Sequence, residues 1–177
     1  MLTSKQSLKV LLIKIKGYKL ILENKNEFDK ASSFETTFTM ETKISTNIKA
    51  SPDKIMRLLT DSNNFPSWNS TVISIDGQIK EGETIKLISK LDPKRTFKLK
   101  VSKLTPTSLV FQDGFAPMFS GIRTFTLIAK GDESTDFSMV ESFKGLMLPM
   151  IKSSLPDFKP NFEQYALDLK QESEKVN

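Results

Sequence analysis

The 177-residue chain contains neither cysteine nor histidine. That excludes disulfides, thiolate nucleophiles, Cys/His metal sites and any imidazole general base. Acid and base chemistry is left to carboxylates, tyrosines and lysines. A metal would need an all-oxygen cluster, and no Asp-rich loop of calcium-binding spacing occurs. No metal site and no cofactor are expected. An unbroken apolar stretch is missing as well. Residues 8–22 are apolar on the whole, but Lys9, Lys14, Lys16 and Lys19 interrupt them. They have neither a membrane span's length nor a signal peptide's apolar region, and a cytoplasmic location is the default expectation.

What is present suits one globular domain. The 38% hydrophobic and 27% charged residues are ordinary for such a protein, and the length allows a sizeable core without staples. The net charge of +5 resembles a nucleic-acid signature until it is placed along the chain. Residues 1–22 hold Lys5, Lys9, Lys14, Lys16 and Lys19 and no acid, and beyond them 21 basic residues match 21 acidic ones. The rest of the chain is neutral, so no nucleic-acid partner is expected. Residues 1–37 read as a peripheral or poorly ordered extension. Three readings stay open for it: a basic segment with weak membrane-surface contact, a local strand or helix, or sequence upstream of a start at Met40. The alternation of Ile13, Lys14, Ile15 and Lys16 is strand-like over a few residues only.

From Phe38 the pattern is regular. Phe38, Met40, Thr42, Ile44, Thr46 and Ile48 share one parity, which predicts a long half-buried strand. A helix follows with Ser51 as N-cap, Pro52 at its first position and Asp53 in its first turn, and it ends near Asp61. Phe65-Pro66-Ser67-Trp68-Asn69 reads as a single turn. Strands are expected at 71–75, 84–90, 96–104, 108–112, 122–129 and 135–143, with turns at Asp76-Gly77, Glu81-Gly82, Asp92-Pro93, Thr105-Pro106 and Gly131-Asp132. These connections are too short for parallel crossovers, so the strands pair antiparallel. Ile151, Leu155, Phe158, Phe162, Tyr165 and Leu169 then step by four and three, an apolar stripe that predicts a terminal helix on one kinked axis despite Pro156 and Pro160.

These residues resemble the START-like, or SRPBCC, proteins of helix-grip fold, and in particular their polyketide cyclase/dehydrase-like branch. The resemblance rests on the run from Ile48 to Asp61, on Phe65 to Asn69, on Gly77, Gly82, Asp113-Gly114 and Gly121-Ile122-Arg123-Thr124, and on Glu141-Ser142-Phe143-Lys144-Gly145 with the terminal helix. It implies an α+β fold over residues 38–177: a curved antiparallel sheet of about seven strands around a long C-terminal helix, with one or two short helices after the first strand. It also implies a hydrophobic cavity between sheet and helix. It does not single out a function, since similar proteins include lipid carriers, hormone receptors, cyclases, quinone-binding proteins and co-chaperones.

Strand parity gives the sharpest internal clue. Arg123, Phe125, Leu127 and Ala129 share one face, as do Phe137, Met139, Glu141 and Phe143. A hairpin turning around Asp132 sets Leu127 against Phe137, Phe125 against Met139 and Arg123 against Glu141. An arginine and a carboxylate then meet on the buried side, as a polar anchor for a ligand or as a structural ion pair. Trp68 reads either as a ligand wall or as a plug at the end of the core, and Asn69 as a residue that fixes its turn. Residues 113–121 read as a loop, apolar at Phe115, Met118 and Phe119, that serves either as a lid to the cavity, flanked by Gly114 and Gly121, or as a hydrophobic loop packed on the terminal helix. Phe65, Phe97, Phe111, Phe158, Phe162 and Tyr165 complete the candidate lining with Met147. The leading expectation is a noncatalytic binder of a lipid-like or aromatic molecule. The rivals are a cyclase- or dehydratase-like enzyme in which Glu141 or Tyr165 moves protons, and a co-chaperone-like interaction module.

Overall fold

The computed structural model describes residues 11–15, 18–22 and 38–175. The chain divides into two units, Met1–Thr37 and Phe38–Asn177. In the first, β1 (Leu11–Ile15) and β2 (Tyr18–Leu22) pair antiparallel from Leu11 opposite Leu22 to Ile15 opposite Tyr18. The alternation at Ile13–Ile15 thus belongs to a hairpin. Lys16 and the rest of the extension lie outside the described residues.

The second unit runs β3 (Thr39–Ile48), α1 (Pro52–Thr60), α2 (Phe65–Trp68), β4 (Val72–Asp76), β5 (Thr84–Ser89), β6 (Asp92–Thr105), β7 (Ser108–Phe115), β8 (Phe119–Ala129), β9 (Thr135–Lys144), α3 (Leu148–Ile151), a 3-10 turn at Lys152–Ser154 and α4 (Lys159–Ser173). The seven strands form one curved antiparallel sheet in the order β3-β9-β8-β7-β6-β5-β4. Because β3 returns beside β9, the meander is closed at one edge by the first strand of the unit. In β3 the even positions turn inward, with Ile44 and Ile48 buried while Thr39, Glu41, Lys43, Ser45 and Asn47 are exposed, as the parity predicts.

Ser51 caps α1, its Oγ accepting the Lys54 N–H at 3.3 Å, a cap of the kind that contributes about 1 kcal/mol. Ile55 and Leu59 project from α1 into the core. Asn69 ends α2 as its chemistry predicts: Oδ1 accepts both the Thr71 N–H, at 2.9 Å, and the Thr71 hydroxyl, at 2.7 Å. The same junction is tied to α4 by Asp168, whose Oδ2 accepts the Ser70 N–H and hydroxyl at 2.7 and 2.6 Å.

Three expectations are corrected. The turn expected at Asp92-Pro93 falls at Lys90-Leu91 instead, with Ser89 opposite Asp92. Pro93 sits second in β6, near a strand end, where a missing N–H is tolerated. The loop expected at 113–121 is mostly strand: β7 and β8 run on until Phe115 faces Phe119, leaving the three-residue turn 116–118. That turn is tied down, with Leu146 N–H donating to Pro117 O at 3.1 Å and Met147 N–H to Met118 O at 3.0 Å. Gly114 and Gly121 are required by close packing. Gly114 has φ +75°, and a Cβ there would lie 2.3 Å from Phe119 O.

The third correction concerns the terminal helix, which does not keep one kinked axis. Leu155, ahead of Pro156, is extended with φ −77° and ψ 138°, as steric crowding by a following proline demands. Helix resumes only at Lys159, with Pro160 in the first turn, where its absent N–H costs nothing. The stripe survived the break because Ile151, Leu155 and Phe158 still face the same interior.

Candidate functional site

The core divides into two aromatic clusters, and the division locates the site. The first is packed solid. Phe65 and Trp68 of α2 meet Tyr165 of α4 with ring centroids 4.6 to 6.1 Å apart, and Tyr165 stacks on Phe125 of β8 at 5.6 Å. All four are buried, as is Met139. The second cluster is a ladder of Phe119 on Phe143 at 5.7 Å, Phe143 on Phe158 at 5.1 Å, and Phe158 on Phe162 at 5.9 Å. This ladder forms one wall of a cavity of about 370 Å³, which also involves Phe97, Leu99 and Phe111 of the sheet and Ile151, Leu155 and Pro156 of the segment before α4.

Arg123 and Glu141 meet across β8 and β9 in the register that parity predicts, with Leu127 opposite Phe137 and Phe125 opposite Met139. Arg123 Nε donates to Glu141 Oε2 at 2.5 Å, and both residues line the cavity. The pair is unevenly buried: the Arg123 side chain is 25% exposed and that of Glu141 is 9% exposed. The guanidinium lies 4.9 Å from the ring centroid of Phe162, where the ring face attracts it as well.

Of the residues singled out from the sequence, Phe97, Phe111, Phe119, Arg123, Glu141, Phe143, Phe158 and Phe162 come together around the cavity. Phe65, Trp68, Phe125, Met139 and Tyr165 do not; they belong to the solid cluster beneath it. Phe115 stands exposed at the tip of the β7–β8 hairpin, and Met118, half-buried in its turn, and Met147 are also outside the lining. Burial pushes the Tyr165 phenol well above its ordinary range, against the pull of Arg123, and its hydroxyl has no hydrogen-bond partner among the described residues. The phenol therefore stays protonated near neutral pH, with no direct access to the cavity.

Sequence reading missed three charged residues of the lining: Asp92, Arg95 and Asp113. Arg95 shares the parity of Phe97, Leu99 and Val101, a signal lost by starting the strand at residue 96. Its guanidinium lies 4.5 Å from the ring centroid of Phe97. Asp113 stands opposite Gly121 and accepts its N–H on Oδ1 at 3.0 Å. Burial, followed by the neighbouring Glu141 charge, raises the Asp113 carboxyl above its usual range, against the Gly121 N–H, Arg95 and Arg123. No group of three or more acidic residues that could hold a metal ion occurs among the described residues. No described helix is long and apolar enough to cross a membrane.

No family model matches the chain, and no curated protein matches it in sequence. Solved structures do match in shape. A START superfamily protein from Mycobacterium smegmatis is 16% identical, with 77% of this chain and 99% of that one covered and a TM-score of 0.58. Norcoclaurine synthase from Thalictrum flavum, in complex with dopamine and hydroxybenzaldehyde, is 13% identical, with coverage of 91% and 100% and a TM-score of 0.59. The Zhui aromatase/cyclase from a Streptomyces species is 12% identical, with coverage of 77% and 94% and a TM-score of 0.59. Identities this low speak to fold alone. Residues 38–175 therefore have the START-like helix-grip fold, a curved seven-stranded antiparallel sheet gripping a C-terminal helix.

Proposed function

We propose that residues 38–177 form a domain that binds a hydrophobic small molecule, lipid-like or aromatic, in this cavity and without catalysing a reaction. The observation that carries the reading is the cavity itself: its volume falls within the range of small-molecule sites, and phenylalanines and aliphatic side chains line it together with convergent polar groups. Phe97, Phe111, Phe119, Phe143, Phe158 and Phe162 would supply the packing surface, and Arg123 with Glu141 a polar stretch of wall. Among proteins of this fold, the synthase bound to dopamine and hydroxybenzaldehyde offers a precedent for aromatic ligands. The cytoplasm is the proposed location, with the five lysines of residues 1–22 giving at most a weak contact with anionic membrane surfaces.

A second reading is supported by Asp113. A cyclase- or dehydratase-like enzyme needs groups that exchange protons, and Asp113 lines the cavity with Glu141, its carboxyl raised above its usual range by burial and then by the Glu141 charge. A filled interior with an exposed apolar patch would instead favour an interaction module working from its outer surface. Native mass spectrometry of the purified protein, followed by solvent extraction, tests the binder. A stoichiometric apolar molecule that Arg123→Ala or Glu141→Ala releases supports it, and the absence of any copurifying or extractable ligand counts against it. If the extracted molecule is turned over, and Glu141→Gln stops turnover while binding persists, the enzyme reading replaces it.

A further inference from the structure

The charged groups facing the cavity are few, and each has a different degree of compensation. From β6 come Asp92 and Arg95, from β7 Asp113, from β8 Arg123 and from β9 Glu141. The remaining lining, from β4, β5 and the segment 151–162, carries no titratable side chain. Asp92 is exposed and solvated. Glu141 has its own guanidinium at 2.5 Å. Arg95 makes no ion pair among the described residues and stands on the face of Phe97. Asp113 is half-buried, and no guanidinium comes within ion-pair distance of it among the described residues.

The Asp113 carboxyl is also fixed in place. Oδ1 accepts the Gly121 N–H at 3.0 Å, and glycine at 121 is what lets it lie against β8, since a Cβ there would stand 2.4 Å from that oxygen. Its other oxygen has no partner among the described residues. With Asp92 solvated and Glu141 paired to Arg123, Asp113 is the half-buried carboxyl of the lining without an ion-pair partner among the described residues.

Building on the binding reading above, we infer that Asp113 contacts the ligand's polar end. It presents a hydroxyl hydrogen to the cavity, and the ligand carries an uncharged acceptor oxygen, the carbonyl of a ketone, ester or aldehyde. Burial, and after it the adjacent Glu141, act in the direction this requires, against the Gly121 N–H, Arg95 and Arg123. An amine ligand would need the opposite state, an ionised Asp113, and would meet Arg95 and Arg123 as well.

Three naphthalenes of matched size separate these cases: 2-acetylnaphthalene, 2-ethylnaphthalene and 2-(aminomethyl)naphthalene. Affinities are measured calorimetrically from pH 4.5 to pH 8 on the full chain, with melting curves at each pH. The ketone is expected to bind about tenfold more tightly than the ethyl compound at pH 4.5, the value of one well-made buried hydrogen bond, and to lose that advantage as pH rises. Asp113→Asn retains an acceptor for Gly121 and offers an amide N–H at every pH, so its preference for the ketone should persist to pH 8. Asp113→Leu should bind ketone and ethyl compound alike. Amine binding that exceeds the ketone, or a ketone preference that survives in Asp113→Leu, overturns the inference while leaving the cavity as a binding site. Failure of all three compounds to bind would sink the binding reading, and this inference with it.

Discussion

The Arg123 and Glu141 pair makes a quantitative prediction because its two members are buried to different depths. Removing one partner of a fully buried pair costs about 3–5 kcal/mol, most of it the expense of an unpaired charge. Arg123→Met leaves Glu141, whose side chain is 9% exposed, so a loss near the lower end, about 3 kcal/mol, is expected. Glu141→Leu leaves Arg123, which is 25% exposed and keeps the ring face of Phe162 at 4.9 Å; a smaller loss of about 2 kcal/mol follows. The double variant replaces the pair with apolar side chains of similar bulk, which should cost no more than about 1 kcal/mol. Urea unfolding of all four proteins at pH 7 measures the cycle. Strong coupling, with the double variant more stable than either single one, is the expected result. Single losses that simply add, within about 0.5 kcal/mol, would refute the argument that the two charges compensate each other.

Other consequences concern separate parts of the fold. Tyr165→Phe removes a buried hydroxyl that lacks a partner, so it should leave stability unchanged or raise it by about 1 kcal/mol in the same unfolding assay, and it should not alter ligand affinity. Gly114→Ala meets both φ +75° and a backbone oxygen at 2.3 Å, and a loss of about 2 kcal/mol or more is expected, with the melting temperature as readout. Asp168→Ala strands the Ser70 N–H and hydroxyl, at a cost of about 2–3 kcal/mol by denaturant unfolding. At Asp113 the folded state holds a proton more tightly than the unfolded chain. Its stabilising contribution is full below about pH 3.9, the unfolded carboxyl's pKa, and is lost as pH rises through the higher folded value. Asp113→Asn should therefore gain stability relative to the parent between pH 4 and pH 7. Parallel stability curves for the two proteins would contradict this.

The β8–β9 pairing could be read from sequence because period two and the Gly131-Asp132 turn leave little freedom: a slip of one residue would carry Phe125, Leu127, Phe137 and Met139 to the wrong face. The α1 cap was legible for a similarly local reason, since Ser51, Pro52 and Asp53 each favour the same helix start. Asp113 and Arg95 were missed because both stand at strand ends, where turn signals mislead. Pro93 resembles a turn residue although it sits second in β6. Gly114, the residue that most resembles a loop, is held within the β7–β8 pairing.

Parity also leaves open a harder question, whether the space above a buried face is filled. Phe125 and Arg123 are neighbours on the same face of β8, yet only Arg123 borders the cavity. The difference comes from α4. Where Tyr165 and Leu169 project from continuous helix they fill the gap, and Phe125 becomes core. Toward the other end the helix stops at Lys159, and Leu155, ahead of Pro156, is extended. The helical stripe that would have plugged the sheet there is replaced by a looser covering, and the cavity lies beneath it. On this argument Pro156 and Pro160 do more than interrupt a helix, because the break they impose decides which phenylalanines are core and which can touch a ligand.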